Sequence, residues 1–65
     1  MAKYKALVNL RRIRRAADMT QKELAEKVGI AQKAVCGYET GQNSPSLPML
    51  ERLAAALGCE PRDLI

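Results

Sequence analysis

The segment Thr20-Gln21-Lys22-Glu23-Leu24-Ala25-Glu26-Lys27-Val28-Gly29 leaves a chain little freedom. Thr20 and Glu23 stand at capping-box spacing: the Thr20 hydroxyl can accept from the Glu23 amide while the Glu23 side chain returns to the Thr20 amide. A helix therefore starts here. Leu24, Ala25 and Val28 recur at helical spacing as one narrow apolar stripe, and Gly29 offers the left-handed conformation in which helices commonly end. Ile30 then reads as an apolar plug. A further short helix follows from about Gln32 to Glu39, with Ala34, Val35 and Tyr38 on one side of its wheel and Gln32, Lys33, Cys36 and Gly37 on the other.

The flanking sequence supplies support for this pair. A first helix is expected over about Lys5 to Ala17, with Asn9 able to cap a later start. Its wheel groups Leu10, Ile13, Arg14 and Ala17, and turns Arg11, Arg12 and Arg15 outward as a basic strip, either solvated or touching phosphate. Arg14 thus falls on an apolar face. It needs an acidic partner there, because an unpaired buried charge is strongly destabilising, or it must snorkel to water. Thr40 to Ser46 has turn composition. Ser46 can cap a fourth helix carrying Leu50, Leu53, Ala54 and Leu57 inward and ending at Gly58, with Pro48 tolerated in its first turn. Pro61 is placed to open a last one-turn helix through Leu64 and Ile65.

Composition narrows the function classes. At 65 residues with a 48% hydrophobic fraction but no Trp or Phe, the chain builds one small core of aliphatic side chains. The net charge is +4, yet residues 1–33 hold nine basic against three acidic side chains while residues 34–65 hold two against four. The positive field belongs to the first half, which favours a polyanionic partner. Cys36 and Cys59 lack CxxC spacing and there is no histidine, so neither a metal site nor a cofactor is expected. The opening MAKYKALVNLRR has no continuous apolar stretch of signal-peptide type, and an intracellular protein with reduced thiols is expected. An enzyme is disfavoured by the lack of histidine and of any paired catalytic constellation.

Ala25 permits close approach of two helices, Gly29 a tight turn between them, and Val35 packing beneath the first so that the second projects: a helix-turn-helix. With Ile13-Arg14, Thr20 through Ala25, Tyr38-Glu39-Thr40-Gly41, Pro45-Ser46-Leu47, and Leu53-Ala54 to Leu57-Gly58, the chain resembles the Cro/CI-type (XRE-like) repressor family from about Leu10 to Leu64. The resemblance implies an all-α, compact five-helix, lambda-repressor-like DNA-binding domain over residues 1–65, the helix-turn-helix proper at about 20–39. It implies a cytoplasmic regulator, commonly a homodimer on double-stranded DNA with two half-sites, and an Arg14–Glu39 ion pair.

By the same resemblance Gln21 contacts a phosphate from a helix N-terminus, and Gln32 is the first base-reading position, its amide suited to adenine N6 and N7. Lys33 reaches a guanine edge or, as a flexible point charge, more readily a phosphate. Cys36 and Gly37 share the reading face, Cys36 within reach of a thymine methyl, and Gln42, Asn43 and Ser44 approach the DNA backbone. Each of these also has a plain reading as a solvated or passive residue. The departures from the family pattern lie on this third helix: Ala31 leaves it without a capping side chain, Gly37 sits in its interior, and Thr40 replaces a frequent Asn. So sparse a reading face keeps a second function open, a protein-interaction module such as an antitoxin or adaptor.

Overall fold

A computed structural model describes residues 2–65, and the described residues form helices α1 (Val8–Ala16), α2 (Gln21–Val28), α3 (Gln32–Thr40) and α4 (Leu47–Leu57), then a 3₁₀ turn at Pro61–Leu64. Strands are absent among them. The fifth expected helix is thus a single tight turn, its start fixed by the Glu60 amide donating to Asp63 Oδ2 at 3.0 Å.

α2 is closed at both ends by its own residues. Thr20 Oγ1 accepts from the Glu23 amide at 3.0 Å, and the Thr20 amide donates to Glu23 Oε1 at 2.8 Å. These bonds favour the Glu23 carboxylate and lower its pKa. Gly29 adopts φ 77° and sends the chain sharply toward α3. A long-range contact completes this end: Arg52 of α4 donates from Nη2 to the Val28 carbonyl, an unsatisfied acceptor at a helix C-terminus. α4 opens similarly, Ser46 Oγ accepting from the Met49 amide at 3.2 Å with Pro48 in the first turn.

α1 is shorter than its apolar pattern suggests. It begins at Val8 rather than Lys5, because the preceding backbone is engaged elsewhere: the Tyr4 amide donates to the Gly41 carbonyl at 2.9 Å and the Leu7 amide to the Tyr38 carbonyl at 3.0 Å. Asn9 lies inside the helix and does not cap it; its Nδ2 donates to the Ile65 carbonyl at 2.9 Å. Ala17, expected on the inner face, is exposed, since it closes the helix just before Asp18 turns the chain with φ 58°.

Leu10, Leu24, Val28, Val35, Leu53 and Leu64 form the centre of the core, with the small side chains of Ala25 and Ala54 buried among them. α2 packs on α3 and on α4, while the 3₁₀ turn wedges Leu64 between α1 and α4. No helix among the described residues is long and apolar enough to cross a membrane.

Candidate nucleic-acid interface

α3 carries the candidate site, and its inner face is held more firmly than its own sequence would hold it. Ala31 provides no capping side chain, yet Val35 is fully buried and Glu39 is only 1% exposed. The Glu39 carboxylate is met on both oxygens. Arg14 Nε donates to Oε2 at 2.7 Å and Arg14 Nη2 to Oε1 at 3.1 Å, a two-pronged arrangement that fixes angle as well as distance. Gln21 Nε2 donates to Oε1 at 3.0 Å, and Arg11 Nε lies 3.6 Å from the same oxygen. Arg14 spends a third donor, Nη1, on the Met19 carbonyl at 2.7 Å. No buried side-chain nitrogen or oxygen among the described residues lacks a partner.

The electrostatics follow from this geometry. Burial alone pushes the Glu39 carboxyl up, but the bonds from Arg14 and Gln21 and the charges of Arg14 and Arg11 outweigh it and hold the pKa below the usual carboxylate value. The bond to Glu39 raises the Arg14 pKa despite its desolvation. Such a pair costs desolvation energy on both sides, and removal of either partner would leave the other buried without its counter-charge. It ties α1, the start of α2 and the end of α3 together at one point. The direction in which α3 projects is set there.

The outer face of α3 presents Gln32, Lys33, Cys36 and Thr40, all exposed. Gly37, grouped with them on the wheel, is buried: the side chain of Asn43 folds back from the following loop and covers it. Gly37 therefore brings no side chain of its own to that face, and the space a side chain there would fill is taken by Asn43. Thr40 turns inward on its own helix, donating from Oγ1 to the Cys36 carbonyl at 3.0 Å. Gln42, Asn43 and Ser44 are exposed immediately beyond α3. Gln21 is half-buried at the first residue of α2, its side-chain amide held by Glu39.

Three residues acquire places that the linear sequence concealed. Arg11, assigned by the wheel to the outer strip, leans toward Glu39; its spacing of three from Arg14 is the signal that could have placed it. Arg12 and Arg15 remain exposed on that strip. Arg52 adds a long-range bond to the last carbonyl of α2, and the Met19 carbonyl completes the Arg14 shell; both depend on elements distant in sequence or on backbone direction, and no sequence pattern announces them. Cys36 and Cys59 are free thiols on different elements. Burial, with Asp63 and Glu60 nearby, pushes the Cys59 thiol up, away from nucleophilic reactivity.

A helix-turn-helix family model, HTH_3, matches residues 10–64. An uncharacterised HTH-type transcriptional regulator of Methanothermobacter thermautotrophicus is 43% identical over 51 residues, covering 78% of this chain and 74% of that protein. The cryptic phage CTXphi transcriptional repressor RstR of Vibrio cholerae is 32% identical over 56 residues, covering 86% of this chain and 50% of RstR. The crystal structure of the restriction-modification controller protein C.AhdI from Aeromonas hydrophila matches with a TM-score of 0.84 at 40% identity, covering 89% of this chain and 88% of that one.

Proposed function

We propose, from the premise that this chain belongs to the helix-turn-helix family and is a non-enzymatic DNA-binding transcriptional regulator, that α3 reads the major groove of an operator and that the chain represses transcription as a homodimer in the cytoplasm. The observation that carries this reading is the two-sidedness of α3: the inner face is locked by Val35 and the Arg14–Glu39 pair while Gln32, Lys33 and Cys36 stand exposed. Gln32 offers a donor and an acceptor to an adenine edge, Lys33 supplies charge to a guanine or a phosphate, and Cys36 meets a thymine methyl. Gln21, Gln42, Asn43 and Ser44 serve as backbone contacts that set register. The bond from Gln21 to Glu39 supports its role, because a group held at the N-terminus of α2 is aimed before DNA arrives.

The family identity favours DNA over a protein-interaction module. A homodimer fits the reach of a single recognition helix, which covers one half-site, so two copies address a two-fold operator. The exposed apolar side chains Val8, Leu47 and Ile65 are available to such a second copy. Residues 1–65 then act as one DNA-binding unit.

Selection from a random DNA pool tests the reading. The expected result is an enriched site with two-fold symmetry, an affinity that falls steeply with added salt, and a Gln32→Ala variant that loses about 1–3 kcal/mol of discrimination at one base position. Absence of DNA retention at low salt would sink it.

A further inference from the structure

Gly37 and Asn43 form a matched pair. An ideal Cβ built on Gly37 would stand 2.7 Å from Asn43 Cγ and 2.9 Å from Asn43 Nδ2, and would run into Asn43 Oδ1. The carboxamide thus occupies the space in which any other residue at position 37 would place its side chain. The loop that delivers it is bent back by the same residue: the Gly37 carbonyl accepts from the Gly41 amide at 2.9 Å, the Gln42 amide at 2.9 Å and, longer, the Asn43 amide at 3.3 Å.

The seat lies on the outer face of α3, because residue 37 is four beyond Lys33 and three before Thr40 and so shares their side of the helix. A depression of about 370 Å³ there is lined by Lys33, Cys36, Gly37, Thr40, Gln42 and Asn43. Asn43 is exposed, and its carboxamide makes no side-chain hydrogen bond among the described residues. An amide laid across the reading face offers a donor and an acceptor together, the pattern that an adenine edge complements, whereas a phosphate takes donors alone.

We infer that Asn43 is a base-reading residue and Gly37 its positioning residue: the missing side chain at 37 lets a loop amide take the place of a helix side chain on the reading face. This rests on the reading of α3 as the DNA-reading helix. It moves Asn43 out of the group of backbone contacts and assigns a purpose to a glycine that weakens the helix it interrupts.

The experiment starts from the site that the wild-type protein selects from a random DNA pool; a wild-type protein that enriches nothing overturns the reading of α3 and this inference with it. Given a site, Asn43→Ala, Gly37→Ala and the double variant are measured in competition against every single-base change of that site, at two salt concentrations, with thermal melting as a check on folding. Asn43→Ala is expected to lose roughly tenfold discrimination at one base pair with an unchanged salt slope. Gly37→Ala is expected to fold, since the atoms it displaces end an exposed side chain, and to flatten preference at that same base pair. The double variant is expected to be no worse than either single. A uniform affinity loss in Asn43→Ala with a shallower salt slope overturns the inference, marking a phosphate contact. So does a Gly37→Ala defect undiminished when residue 43 is alanine, which marks a methyl obstructing DNA directly. Should Gly37→Ala fail to fold, Asn43→Ala and Asn43→Asp decide alone: both must lose preference at one shared base pair.

Discussion

The two helices of the helix-turn-helix are held in opposite ways. α2 is specified locally, by a reciprocal capping box at Thr20 and Glu23 and a left-handed glycine at position 29. α3 has no capping side chain at Ala31, a glycine in its interior, and at its far end a glycine beneath another segment of chain. What α3 lacks locally it receives from a distance, through Val35 in the core, Arg14 on Glu39, the Leu7 amide on the Tyr38 carbonyl and the Tyr4 amide on the carbonyl of Gly41, which caps the helix. A helix that must present side chains to a partner has fewer positions to spend on its own stability, and burial of its other face makes up the difference.

The largest test of this contrast is Glu39→Ala. Truncating one partner leaves Arg14 buried without its carboxylate, a loss of about 3–5 kcal/mol, a large fraction of what a domain of this size has. Urea denaturation should show α1 and α3 failing together; a loss under 1 kcal/mol would mean that α3 stands without the pair. Gly41→Ala comes next. Gly41 has φ 86°, and a Cβ there would meet the Tyr4 carbonyl and come within 3.2 Å of the Ala6 amide. The left-handed backbone alone costs about 1–2 kcal/mol, and the approach of the N-terminal segment adds to it. The equivalent change at Gly29, where the nearest foreign atom is Arg52 Nη2 at 3.7 Å, should cost the backbone share only. Equal melting temperatures for the two variants would remove the distinction between a local and a tertiary helix end.

Acid titration probes the pair without mutation. The Glu39 carboxyl is held below its usual pKa of 4.5 in the folded state, so the unfolded chain takes up a proton first as pH falls. The stabilisation is fully present above the ordinary carboxylate range and is lost as pH drops through the folded value. Stability should decline on acidification, and the decline should flatten in Glu39→Gln. The smallest effects come from the caps. Thr20→Ala should lose about 1 kcal/mol, and Ala31→Ser should gain up to a similar amount by supplying α3 with the acceptor it lacks. A thermal melt in which Ala31→Ser gains nothing would mean that the start of α3 is already satisfied by its surroundings.

Much of this was legible in the chain. Wherever a structure depends on residues three or four apart, as in the Thr20 box, the Ser46 cap or the Leu50-Leu53-Ala54-Leu57 stripe, the pattern names the element and its inner face. What the pattern does not carry are contacts whose partner lies outside the helix that makes them. Nothing in Lys5-Ala6-Leu7 shows that these residues leave the helical pattern to lie on the end of α3, and only its spacing of three from Arg14 hints that Arg11 turns from the outer strip toward Glu39. The burial of Gly37 belongs to the same class, since its cover comes from beyond the helix.

By itself, then, the sequence determined that there are four helices and a closing turn, where α2 and α4 begin and end, and that Arg14 on an apolar face requires a partner, because these follow from local hydrogen bonding, periodicity and the cost of burying a charge. Tertiary structure alone decided how α3 is aimed and what its outer face displays. Those properties depend on Glu39 gathering Arg14, Arg11 and Gln21 around one carboxylate, and on a loop amide filling the space that a glycine leaves empty. A one-dimensional pattern records which residues can be neighbours along a helix, but not which distant atoms will claim the same space.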